Sequence, residues 1–145
     1  MSDKIVIGSD HAGFEMKEYI KEVLTQKGVL FEDAGAVSLD PSDDYPEFAF
    51  RVAKAVSEKR YNKGILLCGT GIGASIAANR VKGVRAALCT SPDMARMSRA
   101  HNDSNVLVLG GRTTSRETVS EIIDAWLGGS FEGGRHQKRI DQIDK

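Results

Sequence analysis

The sequence predicts an α/β protein built on a parallel sheet with both faces covered. Three observations carry this. Short apolar runs alternate with helix-patterned segments from end to end, as successive strand–crossover–strand units require. The 145 residues, 41% of them hydrophobic, suit one domain that buries about two-thirds of its unfolded surface. No linker, low-complexity tract or fixed-period repeat interrupts the chain, so residues 1–145 read as a single domain. Right-handed crossovers then follow from sheet twist.

Residues 4–8 form a short apolar run, the first strand. Phe14, Tyr19, Ile20, Val23 and Leu24 recur at near-helical spacing, so a helix is expected over 14–26, closed by Lys27-Gly28. Residues 29–34 supply a second strand and 35–45 a polar loop with Asp40-Pro41 and Asp43-Asp44. Pro46 opens a helix to about residue 59, since proline is favoured at a helix start. A third strand over 65–68, a third helix over 74–79 and a fourth strand over 84–89 follow. Ser91-Pro92-Asp93 caps a helix to about residue 100, and 106–109 is the fifth strand. Ser115 is the N-cap of a helix to residue 127, and a polar tail helix begins at about residue 135, after Gly133-Gly134.

The composition narrows the function. Lysine plus arginine balance aspartate plus glutamate, for a formal net charge of zero, so bulk attraction to nucleic acid or a membrane has no support. Cys68 and Cys89 are too few for a disulfide framework and read as free thiols of a reducing compartment. The start, Met1-Ser2-Asp3-Lys4, lacks a secretory n-region, and no apolar run approaches the roughly 18 residues of a membrane span. A cytoplasmic location is expected. His11, His101 and His136 show no metal-ligand spacing, so no metal is expected.

In open sheets of this kind, ligands sit beyond the carboxyl ends of the strands. Those ends carry Ser9-Asp10-His11, the run from Cys68 to Gly73, Thr90-Ser91 and Gly110-Gly111-Arg112. The most informative is Cys68-Gly69-Thr70-Gly71-Ile72-Gly73, a thiol delivered by a strand to a glycine-rich turn. A helix start can lower a thiol pKa from about 8.5 to roughly 3.5–7.5, and its amides can hold an oxyanion. The spacing is not the dinucleotide fingerprint, and no Gly-Lys-Ser/Thr follows to make a Walker loop. A cysteine phosphatase loop would carry arginine where Ala74 stands. The turn by itself fits either anion binding or a structural bend, and Cys68 by itself fits a buried inert thiol. Likewise Asp10 fits an N-cap, His101 a helix C-terminal cap, and Arg135 and Arg139 a solvated helix face. Cys89, lacking such a turn, reads as packing.

The ordered set of segments resolves these alternatives. Gly8-Ser9-Asp10-His11-Ala12-Gly13-Phe14, Asp44-Tyr45-Pro46, the Cys68–Gly73 turn, Ile76-Ala77-Ala78-Asn79, Arg99-Ala100-His101-Asn102-Asp103 and Glu132-Gly133-Gly134-Arg135-His136 closely resemble the B-type ribose-5-phosphate isomerases, within the ribose/galactose isomerase family. The match spans residues 4–139. The resemblance implies a three-layer α/β/α sandwich around a five-stranded, Rossmann-like parallel sheet. It also implies an isomerase needing no metal or other cofactor, and a homodimer or homotetramer whose active sites are shared between subunits. Position by position, Cys68 matches the general base, Thr70 the anion-stabilising loop and His101 the residue that assists ring opening. Asp10, His11, Tyr45 and Asn102 match sugar contacts. Arg112, Arg135 and Arg139 match phosphate contacts. One branch of the family lacks the cysteine and uses instead a glutamate just inside the following helix; Ala74 stands at that place and Cys68 is present, so the resemblance is to the cysteine branch.

The chemistry asks for these residue types. Aldose–ketose isomerisation removes a weakly acidic proton beside a carbonyl and gathers charge on oxygen. It therefore needs a base, an oxyanion stabiliser and a grip on the remote phosphate. The amides of Gly69 to Ala74, those of Gly71, Ile72 and Gly73 among them, are the expected oxyanion donors, and the glycines let backbone approach the substrate. The expected reaction interconverts D-ribose 5-phosphate and D-ribulose 5-phosphate through an enediolate. A six-carbon sugar-phosphate isomerase, acting on allose or galactose 6-phosphate, and a non-catalytic module binding phosphorylated ligands are the alternatives.

Overall fold

The computed structural model describes residues 4–145; residues 1–3, part of the stretch read as lacking a secretory n-region, lie outside the described residues. The strands are β1 (Ile5–Ser9), β2 (Phe31–Asp33), β3 (Lys63–Cys68), β4 (Ala86–Leu88) and β5 (Val106–Gly110). The helices are α1 (Phe14–Gln26), α2 (Tyr45–Ser57), α3 (Ile72–Ala78), α4 (Pro92–Asn102), α5 (Arg116–Leu127) and α6 (Arg135–Ile143). The five strands form one parallel sheet in the order β2-β1-β3-β5-β4, and helices cover both faces. The chain steps outward from β1 to β2, then returns to β3 on the other side of β1. The topological switch point therefore lies between the carboxyl ends of β1 and β3, where ligands of such sheets bind.

Strand alternation assigns the two cores. Ile5 and Ile7, Ile65 and Leu67, and Leu107 and Leu109 face α1, α4 and α5, packed with Ile20, Leu24, Ile122 and the fully buried Trp126. Their alternates Val6, Leu66, Cys68, Val106 and Val108 face α2 and α3, with Val52, Ala53, Ala74 and Ala78. Each large side chain so buried stabilises by about 1.5–3 kcal/mol. Cys68 thus sits on the side packed with small residues, where helices approach closely.

The fold class and element order agree with the sequence. The limits differ where tertiary contacts intervene. The second and fourth strands are three residues each, not six, because β2 and β4 are the sheet edges and have one neighbour apiece. The Asn79 side chain accepts from the Ala86 N–H and donates to the Ala86 carbonyl, occupying backbone groups that another strand would use. The third helix begins at Ile72 rather than residue 74, since Gly71 turns the chain with a φ of 84°. A 3-10 turn over His11–Gly13, absent from the sequence reading, joins β1 to α1. Ser91 and Ser115 cap α4 and α5 as expected, accepting from the Met94 and Thr118 N–H groups.

Candidate active site

Three strand ends meet at the switch point with almost no side chain between them. A Cβ on Gly13 would lie 2.7 Å from Leu67, and one on Gly111 would lie 2.9 Å from the Gly13 Cα. The Gly111 N–H donates to the Cys68 carbonyl at 2.8 Å, and the Arg112 N–H to the Gly69 carbonyl at 2.9 Å. This backbone contact holds the Cys68 turn against the end of β5 and brings the Arg112 stem beside Gly69.

Cys68 ends β3 with 4% exposure. Its sulfur accepts the Gly71 N–H at 3.2 Å, closing the turn onto the thiol. The Thr70 hydroxyl accepts the Ile72 N–H at 3.2 Å. Two of the amides expected to serve an oxyanion are therefore engaged within the turn. The N–H groups of Gly73 and Ala74, in the first helical turn of α3, have no intrahelical acceptor. Gly73 lies under the Tyr45 ring so closely that a Cβ would fall 2.5 Å from it. Tyr45, at the start of α2, thus roofs the turn.

Asp10 is buried, and its carboxylate accepts the Gly13 N–H at 3.1 Å, which makes it the cap of the 3-10 turn. His11 is next to it. Its backbone N–H donates to Asp43 Oδ1 at 3.0 Å, and its ring Nδ1 lies 2.7 Å from the same oxygen. Asp43, in the loop before α2, had no role in the sequence reading. The loop is anchored by Lys17, which is fully buried and bonds both Asp33 oxygens and the Ala36 carbonyl. Burial raises the Asp33 carboxyl, but Lys17, the Gly35 N–H and Lys21 outweigh it and hold the group below its ordinary value.

His101, Asn102, Arg135 and Arg139 do not join this cluster. His101 and Asn102 end α4, which leads directly into the amino end of β5. Cys68 pairs with Gly110 at the carboxyl end of that strand. The length of β5, roughly 13–17 Å, separates the two groups. At the amino end, the His101 ring stacks on His136, with centroids 4.4 Å apart and planes within 16°. Glu132 Oε1 lies 3.5 Å from His136 Nε2 and 3.9 Å from His101 Nε2. Burial, then His101 and Arg135, push the His136 imidazole below its ordinary value. Arg135 and Arg139 lie exposed on α6. The four-residue interval from Glu132 to His136 was the one signal in the sequence for this cluster.

The three histidines, scattered in sequence, thus fall into two groups of donors. His101, Glu132 and His136 bring ligand atoms within 4.8 Å of one another, as do Asp10, His11 and Asp43. In the first, the rings stack nearly parallel beside Glu132, and Arg135 and Arg139 add positive charge. In the second, Asp10 and Asp43 already hold the Gly13 N–H and His11.

The chain as a whole is similar to known proteins. The family model described as Ribose/Galactose Isomerase matches residues 5–143. Ribose-5-phosphate isomerase B of Escherichia coli (strain K12) is 48% identical over 140 residues, covering 97% of this chain and 93% of that protein. The ribose 5-phosphate isomerase structure from Thermotoga maritima has a TM-score of 0.95 at 51% identity and covers 99% of both chains. Ribose-5-phosphate isomerase B from Mycoplasma genitalium, solved with bound ribulose-5-phosphate, has a TM-score of 0.94 at 46% identity, covering 99% of this chain and 95% of the other.

Proposed function

We propose that this chain, which belongs to the ribose/galactose isomerase family, interconverts D-ribose 5-phosphate and D-ribulose 5-phosphate through an enediolate. The observation that carries the assignment is the Cys68 sulfur at the switch point, facing the Gly71 N–H at 3.2 Å. A sulfur held opposite a donor is arranged to receive a proton. In the open aldose, Cys68 takes the C2 proton and the electron pair moves onto the C1 carbonyl oxygen. Return of that proton to C1, with transfer of the O2 hydroxyl proton to O1, yields the ketose. The free N–H groups of Gly73 and Ala74, with the Thr70 hydroxyl, stabilise the charge on oxygen; one such donor is worth about 3–4 kcal/mol in the transition state. Asp10, His11 and Tyr45 hold the sugar, and Arg112 holds the phosphate.

His101, Asn102, Arg135 and Arg139 complete the site from a second copy of the chain. The separation of the two groups along β5 supports this, since no side chain spans it. Exposed Ile72 and Ile76 on α3 and Met94 and Met97 on α4 supply an apolar surface for that contact. In such a homodimer His101 moves protons at the ring oxygen and anomeric hydroxyl, and the two arginines close on the phosphate.

The test is an isomerase assay on ribose 5-phosphate with the wild type and Cys68→Ala. The variant is expected to keep the wild-type circular dichroism spectrum and to lose turnover. Full turnover by Cys68→Ala would remove the assignment of the base.

A further inference from the structure

The geometry points to Asp43 as the residue that sets the ring of His11 and so decides which nitrogen meets the sugar phosphate. This rests on the isomerase reading above. Asp43 lies 32 residues after His11, in the loop that joins β2 to α2 and brings in Tyr45. One oxygen, Oδ1, meets both the His11 backbone N–H at 3.0 Å and ring Nδ1 at 2.7 Å. The backbone N–H can only donate, and an ionised carboxylate can only accept. Nδ1 must therefore carry the proton, which leaves Nε2 as the ring nitrogen for a ligand.

The arrangement is a held one rather than a surface encounter. The side chains of His11 and Asp43 are 24% and 11% exposed. The second carboxylate oxygen, Oδ2, is buried with no partner, so the contacts to His11 are what hold the carboxylate. Two bonds onto one residue fix both the ring plane and its tautomer. Asp43 touches no reacting atom in this scheme; it is a positioning residue acting through His11.

The experiment is nitrogen-15 NMR of the His11 ring in the full chain, paired with steady-state kinetics on ribose 5-phosphate. The neutral wild-type ring is expected to be protonated on Nδ1. Asp43→Ala should lose that bias and raise KM about tenfold, with kcat changed less than about threefold. Asp43→Asn should restore the tautomer and bring KM within about threefold of wild type, because its amide oxygen must still face the His11 N–H. A wild-type ring protonated on Nε2 would overturn the inference, even if Asp43→Ala fails to fold. So would a rise in KM with the tautomer unchanged, which would make Asp43 only a tether for the loop. A wild type that binds but does not turn over ribose 5-phosphate would defeat the isomerase reading and leave the tautomer result standing.

Discussion

At the carboxyl end of the sheet backbone meets backbone, whereas at the amino end side chain meets side chain. Gly13, Gly110 and Gly111 let three strand ends touch around Cys68, and a Cβ on any of them would fall within 3 Å of a neighbour. Across the length of β5, His101 stacks on His136, Arg85 binds Asp103 and Asp144, and Trp126 donates to Ser104. The first end offers amides and a thiol, which suit a developing oxyanion. The second offers imidazoles and guanidiniums, which suit a phosphate and proton transfer. In the proposed isomerase the two ends would complement each other, and a strand stands between them.

The sharpest way to break this comparison is complementation. Cys68→Ala and His101→Ala should each lower kcat by roughly 10²–10⁴-fold. If the two halves come from different subunits, a refolded equimolar mixture should regain about a quarter of wild-type activity. Half of its dimers are mixed, and each mixed dimer has one site with both residues intact. A mixture as inactive as its components would place base and acid in one chain.

The supporting ion pairs should differ as well. Asp33→Asn leaves Lys17 buried without its counter-charge and should cost about 3 kcal/mol at pH 7 by urea unfolding. Because the folded Asp33 carboxyl lies below its ordinary value, its contribution is complete above about pH 3.8 and is lost as pH falls further. The variant should therefore show a flatter acid limb. Asp144→Asn, which removes a half-exposed partner of Arg85, should cost less than about 1 kcal/mol.

Glycines should separate the ends by a smaller margin. Alanine at Gly71 must adopt a φ of 84° and place its Cβ 2.5 Å from Leu88. Gly71→Ala should cost about 2 kcal/mol and slow turnover at least tenfold. Gly133 has a similar φ of 71° but open space around it, so Gly133→Ala should cost about 1 kcal/mol. The mildest expected change is Arg139→Ala, which should raise KM about tenfold with kcat nearly unchanged. A fall in kcat without a change in KM would remove Arg139 from phosphate binding.

Local pattern made much of this legible. The limits of α1 follow from its apolar spacing and from Lys27-Gly28, and they match residue for residue. The serine caps of α4 and α5 and the exit of Cys68 from a strand into a glycine turn were equally plain. The edge strands read too long because residues 29–34 and 84–89 have the same composition whether or not a neighbour pairs with them. Asp43 was hidden because an acidic loop looks like a solvated turn until His11, 32 residues away, is found against it. The stack of His101 on His136 likewise depends on how α6 folds back onto the end of α4.

The sequence by itself determined the order of strands and helices, the parallel sheet and the chemical kinds of residue at the site. Those depend on periodicity, capping and turn chemistry, which act within a few residues. Only the tertiary structure decided which of these residues share an end of the sheet. Strand order and direction are set by packing between distant segments, and they put Cys68 and His101 of one chain a full strand apart.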